Sequence, residues 1–106
     1  MKILVTGGLG FIGSNFIINI LKKFPKYEIT NLDDELFGSN HLNLKNVKKS
    51  KNYKFVKGNI CNEKLVKKLV KKCDLVVNFA AESHVDRSIS DAKPFIDSNI
   101  TGVFNI

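Results

Sequence analysis

Arginine is almost missing from this sequence: Arg87 is the only one, and a formal net charge of +7 rests on lysine. Proteins that read nucleic acid exploit the planar fork of arginine, often with aromatics beside it, so its lack argues against a nucleic-acid partner. Lys64, Lys67, Lys68, Lys71 and Lys72 fall on the outer positions of a helical pattern and read as a solvated face. Cysteine is equally scarce. Cys61 and Cys73 are too few and too far apart for a metal cluster, and the expectation is two reduced, buried thiols with no metal site. Apolar runs are short as well. None approaches the roughly 18 residues of a membrane span, and the stretch after Lys2 stops at glycines within about five residues, too soon for the core of a signal peptide. A cytoplasmic protein without a membrane partner is expected. At 106 residues there is no room for a second domain, while 43% hydrophobic and 25% charged residues are ordinary for a folded one.

What is present begins at the first residues. An apolar strand, Lys2 to Thr6, runs into Gly7-Gly8-Leu9-Gly10-Phe11-Ile12-Gly13 and then into a helical pattern. A strand, a glycine turn and a helix start in this order place backbone N–H groups and the positive end of a helix dipole around a pyrophosphate. Gly7 permits a tight reversal, Gly10 clears the approach of the phosphates, and Gly13 lets helix and strand pack closely.

Farther along, Phe11, Ile12, Phe16, Ile17, Ile20, Leu21 and Phe24 recur at helical spacing up to Pro25. A second strand is expected from Tyr27 to Leu32 with Asp33 at its carboxyl end, then a long loop with one helical turn near Leu42 to Val47. Tyr53 to Lys57 reads as a third strand. Leu65, Val66, Leu69, Val70 and Cys73 form one stripe of a helix, and Leu75 to Phe79 reads as a fourth strand, buried on both faces as parallel strands are. Pro94 suits the first turn of a last helix with Phe95, Ile96, Ile100, Val103 and Phe104 on its inner side. This alternation is that of an α/β, Rossmann-type doubly wound parallel sheet, and right-handed crossovers give the strand order 3-2-1-4.

Ligands of such sheets bind at the carboxyl ends of strands beside the reversal of order. Asp33 stands there, twenty positions after Gly13 (33 − 13). An acid at that place accepts from adenosine ribose hydroxyls and repels a 2′-phosphate, which favours NAD over NADP. Asp34 and Glu35 add negative charge. Asn59 and Ile60 are placed to flank an adenine, or simply to turn the chain after Gly58. Ala80 and Ala81 let a dinucleotide pass close to the backbone, and His84, Asp86 and Arg87 suit an anionic substrate, with Arg87 able to hold a phosphate by two hydrogen bonds.

Residues 1–16, Asn31-Leu32-Asp33, Gly58-Asn59-Ile60-Cys61 and Phe79-Ala80-Ala81-Glu82-Ser83-His84-Val85-Asp86-Arg87-Ser88-Ile89 together resemble the N-terminal part of the dTDP-glucose 4,6-dehydratases, members of the extended short-chain dehydrogenase/reductase superfamily. The resemblance covers residues 1–106 as one NAD-binding segment. It implies that Phe11 and Ile12 meet NAD beside the pyrophosphate, that Asp33, Asp34, Glu35 and Leu36 surround the adenosine ribose, and that Asn59 and Ile60 bracket adenine. It further implies that Phe79, Ala80, Ala81, Glu82 and Ser83 line the cofactor's path, with Ser98 and its neighbour Asn99 facing it from the last helix. Ser83, His84 and Arg87 fall on the side of a nucleotide-sugar substrate. The implied reaction converts dTDP-glucose to its 4-keto-6-deoxy form by oxidation at carbon 4, loss of water across carbons 5 and 6, and return of the hydride to carbon 6. A UDP-sugar dehydratase or epimerase of the same superfamily, or a non-catalytic NAD-binding module, are the alternatives.

The chain departs from the family pattern where lysine, threonine and aspartate are usual and Asp34, Leu36 and Asn59 stand. Family members are about three times this length. The resemblance therefore implies catalytic groups (a Tyr-x-x-x-Lys pair and a Thr-Asp-Glu trio) beyond Ile106, a homodimer at full length, and an inactive 106-residue chain.

Overall fold

The computed structural model describes residues 1–82 and 85–106. Strand β1 (Lys2–Thr6) leads through the glycine turn to α1 (Phe11–Lys23), β2 (Glu28–Asp33), a 3-10 turn (His41–Leu44), β3 (Tyr53–Lys57), α2 (Glu63–Val70) and β4 (Leu75–Asn78). Helix α3 (Val85–Ser90), α4 (Lys93–Ile96) and a π-helical stretch (Asp97–Gly102) complete it. The strands lie in the order β3-β2-β1-β4 and every pair is parallel, as the alternation of the sequence requires. Val5 sits opposite both Asn31 and Val77, so β1 is central and its end marks the reversal of strand order.

Side chains on a strand alternate between faces, and β1 divides the core accordingly. Ile3 and Val5 join Leu9, Ile17, Ile29 and Leu44 on one face of the sheet; Leu4 joins Leu32, Ile60 and Val66 on the other. Each of these buried aliphatic side chains contributes roughly 1.5–3 kcal/mol. Helix α1 covers the first face and stops at Phe24, whose N–H reaches the Ile20 carbonyl just before Pro25. Helix α2 starts at Asn62, whose side chain accepts from the Leu65 N–H, and it buries Val66. Lys64, Lys67, Lys68, Lys71 and Lys72 are all exposed, as their helical positions indicate.

Three expectations need correction. Strand β4 is not buried on both faces: Val76 and Val77 are half-buried and Leu75 is 45% exposed, because β4 is an edge strand paired only with β1. The C-terminal helical segment presents Ile96, Ile100, Val103 and Phe104 outward. Its buried side is made of Ser98 and Gly102, where a Cβ on Gly102 meets the Ile60 side chain, so small residues rather than the apolar period set the packed face. The two thiols are free but only half-buried. Cys61 Sγ donates to the Asp97 carbonyl at 3.0 Å, and burial, with the Asp97 charge second, raises its pKa.

Candidate nucleotide-binding cleft

The carboxyl ends of β1, β2, β3 and β4 surround a cleft of about 370 Å³, within the ~300–1,000 Å³ usual for small-molecule sites. Its geometry begins with the glycine turn, which β2 holds in place. Gly7 N–H donates to the Leu32 carbonyl at 2.9 Å, Gly8 N–H to Asn31 Oδ1 at 3.0 Å, Leu9 N–H to Asp33 Oδ2 at 3.0 Å, and Gly10 N–H to the Gly7 carbonyl at 3.2 Å. Four successive donors are thereby used inside the protein. The N–H groups of Phe11, Ile12 and Gly13, in the first turn of α1, have no partner among the described residues. That turn carries no acidic side chain, so the positive end of the helix dipole has no counter-charge from the helix itself. The donors offered to an anion are therefore those of the helix start and not of the glycine turn.

Two glycines differ in what they do. Gly7 has φ +69° and touches the main chain leaving β4, so it is required by the fold. Gly10 has φ −72° in extended backbone, and a Cβ there meets only the Gly7 carbonyl oxygen, at an ordinary 3.4 Å. Neither conformation nor packing demands glycine at position 10. The space before it faces the cleft, and beside it Phe11 (80% exposed) and Ile12 (67% exposed) form an apolar lip.

The acidic run Asp33-Asp34-Glu35 separates into three directions. Asp33 is 6% exposed and accepts from Leu9 N–H, from Glu35 N–H at 2.9 Å and from Ser39 Oγ at 2.9 Å. A carboxylate offers about four acceptor positions, so one remains toward the cleft. Asp34 lines the cleft and accepts from Asn59 Nδ2 at 2.8 Å. Glu35, at φ +57°, is not part of the cleft lining and turns toward Lys57 Nζ (2.7 Å) and His41. Its pKa is lowered, first by the Lys57 hydrogen bond and then by His41. A group held lower when folded contributes stability above its ordinary value of 4.5 and loses it as pH falls through the depressed value. Acid titration followed by circular dichroism should show Glu35→Gln and the parent chain differing above pH 4.5 and converging only as pH falls below the depressed value.

Most of the expected cofactor residues meet in this one cleft: Gly7, Gly10, Phe11, Ile12, Gly13, Asp33, Asp34, Leu36, Asn59, Ile60, Phe79, Ala80, Ala81, Glu82 and Ser98. Ser83 and His84 lie outside the described residues. Arg87 stands at the rim, its guanidinium 4.4 Å over the Phe37 ring and 3.8 Å from Glu82. Asn99 is not part of the cleft lining; its amide accepts from Glu82 N–H and donates to the Glu82 carbonyl, both at 2.9 Å, fastening the chain after β4 to the last helix. Phe37, Gly38 and Ser39 also line the cleft and were not expected there. Asn31 was missed too: fully buried, it links Gly8 to the Tyr53 hydroxyl, which its Nδ2 reaches at 3.0 Å. An amide two positions on from buried Ile29, on the same face of β2, was the available signal.

A parallel sheet with this cleft at its switch point defines a Rossmann-type fold of the kind that holds nucleotide cofactors. The family model described as GDP-mannose 4,6 dehydratase matches residues 4–106, and the chain belongs to that family. Among curated relatives it is 46% identical to the low-salt glycan biosynthesis protein Agl12 of Haloferax volcanii over 102 residues, covering 96% of this chain and 33% of that one. It is 45% identical to a dTDP-glucose 4,6-dehydratase of Streptomyces niveus over 106 residues, covering 96% of this chain and 32% of the relative. The crystal structure of DesIV, a dTDP-glucose 4,6-dehydratase of Streptomyces venezuelae with NAD bound, matches with a TM-score of 0.92 at 39% identity, covering 99% of this chain and 34% of the other. The chain thus spans about a third of the length of the relatives it matches.

Proposed function

We propose that residues 1–106 form the NAD-binding segment of a nucleotide-sugar 4,6-dehydratase acting on dTDP-glucose. The observation that carries this reading is Gly10: a glycine that neither backbone conformation nor packing requires, facing a cleft where three helix-start N–H groups await an anion. In this assignment the N–H groups of Phe11, Ile12 and Gly13 hold the pyrophosphate, and the lip of Phe11 and Ile12 covers it. Asp33 and Asp34 meet the adenosine ribose, Asn59 and Ile60 the adenine, and Phe79 to Glu82 with Ser98 the remainder. The small side chains of Ala80 and Ala81 leave room beside the backbone for the nicotinamide half. When bound, NAD supplies reversible hydride acceptance to the sugar.

Ser83, His84 and Arg87 are assigned to the substrate side. Arg87 is already partly neutralised by Glu82, so it suits a hydrogen-bonding role toward phosphate or sugar more than that of a lone charge. The outward row of Ile96, Ile100, Val103 and Phe104 is assigned to pairing with a second copy of the chain in a homodimer. None of the helices among the described residues is long and apolar enough to cross a membrane. Isothermal titration of the chain with NAD and with NADP tests the reading. NAD binding at one site with a clear preference over NADP is expected; an NADP preference, or no binding of either by folded protein, contradicts it.

A further inference from the structure

Independently of that reading, we propose a second binding site, toward the amino ends of the strands, that takes a small anion with an apolar body. A right-handed crossover from β3 to β4 has to pass over β2 and β1, and α2 accordingly packs Val66 with Leu4 and Leu32. Beside α2, over β2 and β3, a groove of about 310 Å³ stays open. That is the lower end of the range for small-molecule sites.

The floor of the groove is apolar: Leu4 from β1, Val56 from β3, and Leu65 and Leu69 from α2. Parallel register sets Leu4 beside Thr30 and Thr30 beside Lys54, so one row across the sheet passes from an aliphatic side chain through a hydroxyl to a cation. Thr30 is half-buried, and its hydroxyl has no partner among the described residues. Lys68 and Lys72, one turn apart on α2, line the groove from the helix side, and Lys2 lines it from the start of β1. Lys57, Lys67 and Lys93 each meet a carboxylate elsewhere in the fold, whereas Lys2, Lys54, Lys68 and Lys72 form no ion pair among the described residues. Glu28 is the one carboxylate against these four ammonium groups. An uncompensated positive rim over an aliphatic floor complements a molecule whose apolar body covers the leucines and whose anionic head meets Lys54 and the Thr30 hydroxyl. A bare inorganic anion would leave that floor in water. The nucleotide-binding cleft lies at the carboxyl ends of the strands, so the two sites can be filled together.

The probe is cinnamate, titrated calorimetrically into the parent chain, with cinnamyl alcohol as its uncharged form and sulfate as the bare anion. One site with a Kd of about 1 mM or tighter is expected, changed less than about twofold by saturating NAD, with both controls at least about tenfold weaker. Cys73 is a free, half-buried thiol in the groove lining, and Cys61 lies outside it. Cinnamate should therefore slow N-ethylmaleimide labelling of Cys73 about threefold or more and leave Cys61 unaffected. Lys54→Gln combined with Lys68→Gln should weaken binding about fivefold, Glu28→Gln should tighten it about twofold, and Lys71→Gln, outside the lining, should do neither. Absence of saturable binding, equal binding of either control, competition by NAD, unprotected Cys73, or a Lys71→Gln effect as large as that of the groove lysines overturns the site. None of these outcomes bears on the cleft, whose reading fails on the NAD titration alone.

Discussion

Replacing Gly10 by aspartate is expected to make the chain more stable and a far weaker binder of NAD. Gly10 is the N-cap of α1 and provides no side-chain cap, yet its backbone is already in the extended conformation that a capping aspartate adopts. Three gains add: a side chain accepting from the N–H of Ile12 or Gly13 improves on glycine by a few tenths of a kcal/mol, a negative charge at the helix start by about 0.3–1, and a less flexible unfolded chain by about 0.4–1. The only near contact of the new Cβ is the Gly7 carbonyl oxygen at 3.4 Å, so little is subtracted. A net gain of about 1 kcal/mol corresponds to a melting temperature higher by about 4 °C or more for a domain of this size. Binding moves the other way, since the carboxylate takes the donors assigned to the pyrophosphate and repels its charge. A loss of NAD affinity of about 100-fold, equal to ~2.7 kcal/mol, is expected. Thermal melting and calorimetry on the same preparation check both signs. Lower stability would mean that packing, and not a ligand, keeps position 10 empty.

The second large effect is confined to stability. Gly7→Ala places a Cβ 2.5 Å from Ala80 N and 2.6 Å from the Phe79 carbonyl carbon, both main-chain atoms with no rotamer to adjust. At φ +69° the left-handed conformation adds about 1–2 kcal/mol for an L-residue. Relief requires the turn and the end of β4 to separate, which endangers the Gly7-to-Leu32 and Phe79-to-Thr6 backbone hydrogen bonds, worth about 1 kcal/mol each. The sum is about 3 kcal/mol or more, a large part of the roughly 5–15 kcal/mol that holds a domain together. A fall in melting temperature of at least about 12 °C is expected; a change within about 3 °C would show that the turn gives way easily. The two glycines, three residues apart, should therefore behave oppositely.

The alternation of short apolar runs with amphipathic stretches was enough to order the strands, because right-handed crossovers leave few ways to connect them. The cleft was legible for the same reason: the residues at the ends of four strands converge wherever the strands do. What the sequence could not disclose was how neighbours share their hydrogen bonds. Asp33, Asp34 and Glu35 read as one acidic run, yet backbone twist at Glu35 and the partners Leu9, Asn59 and Lys57 send them three ways. Periodicity also misled at the C-terminal helix. Ile96, Ile100, Val103 and Phe104 recur as a packed face would, while closeness to Ile60 and the cleft requires the small side of Ser98 and Gly102. An apolar stripe marks a surface that seeks a partner, and the stripe itself does not say whether that partner is the chain's own sheet.

Amide-resolved NMR of the isotopically labelled chain during titration with NAD tests the central claim most directly. The largest shifts should fall on the Phe11, Ile12 and Gly13 amides at the start of α1, with Asp34 and Asn59 following, and smaller ones on Gly8 and Leu9, whose N–H groups β2 already holds. Saturating NAD without shifts at the start of α1, or with shifts gathered on the lysine face of α2, would contradict it.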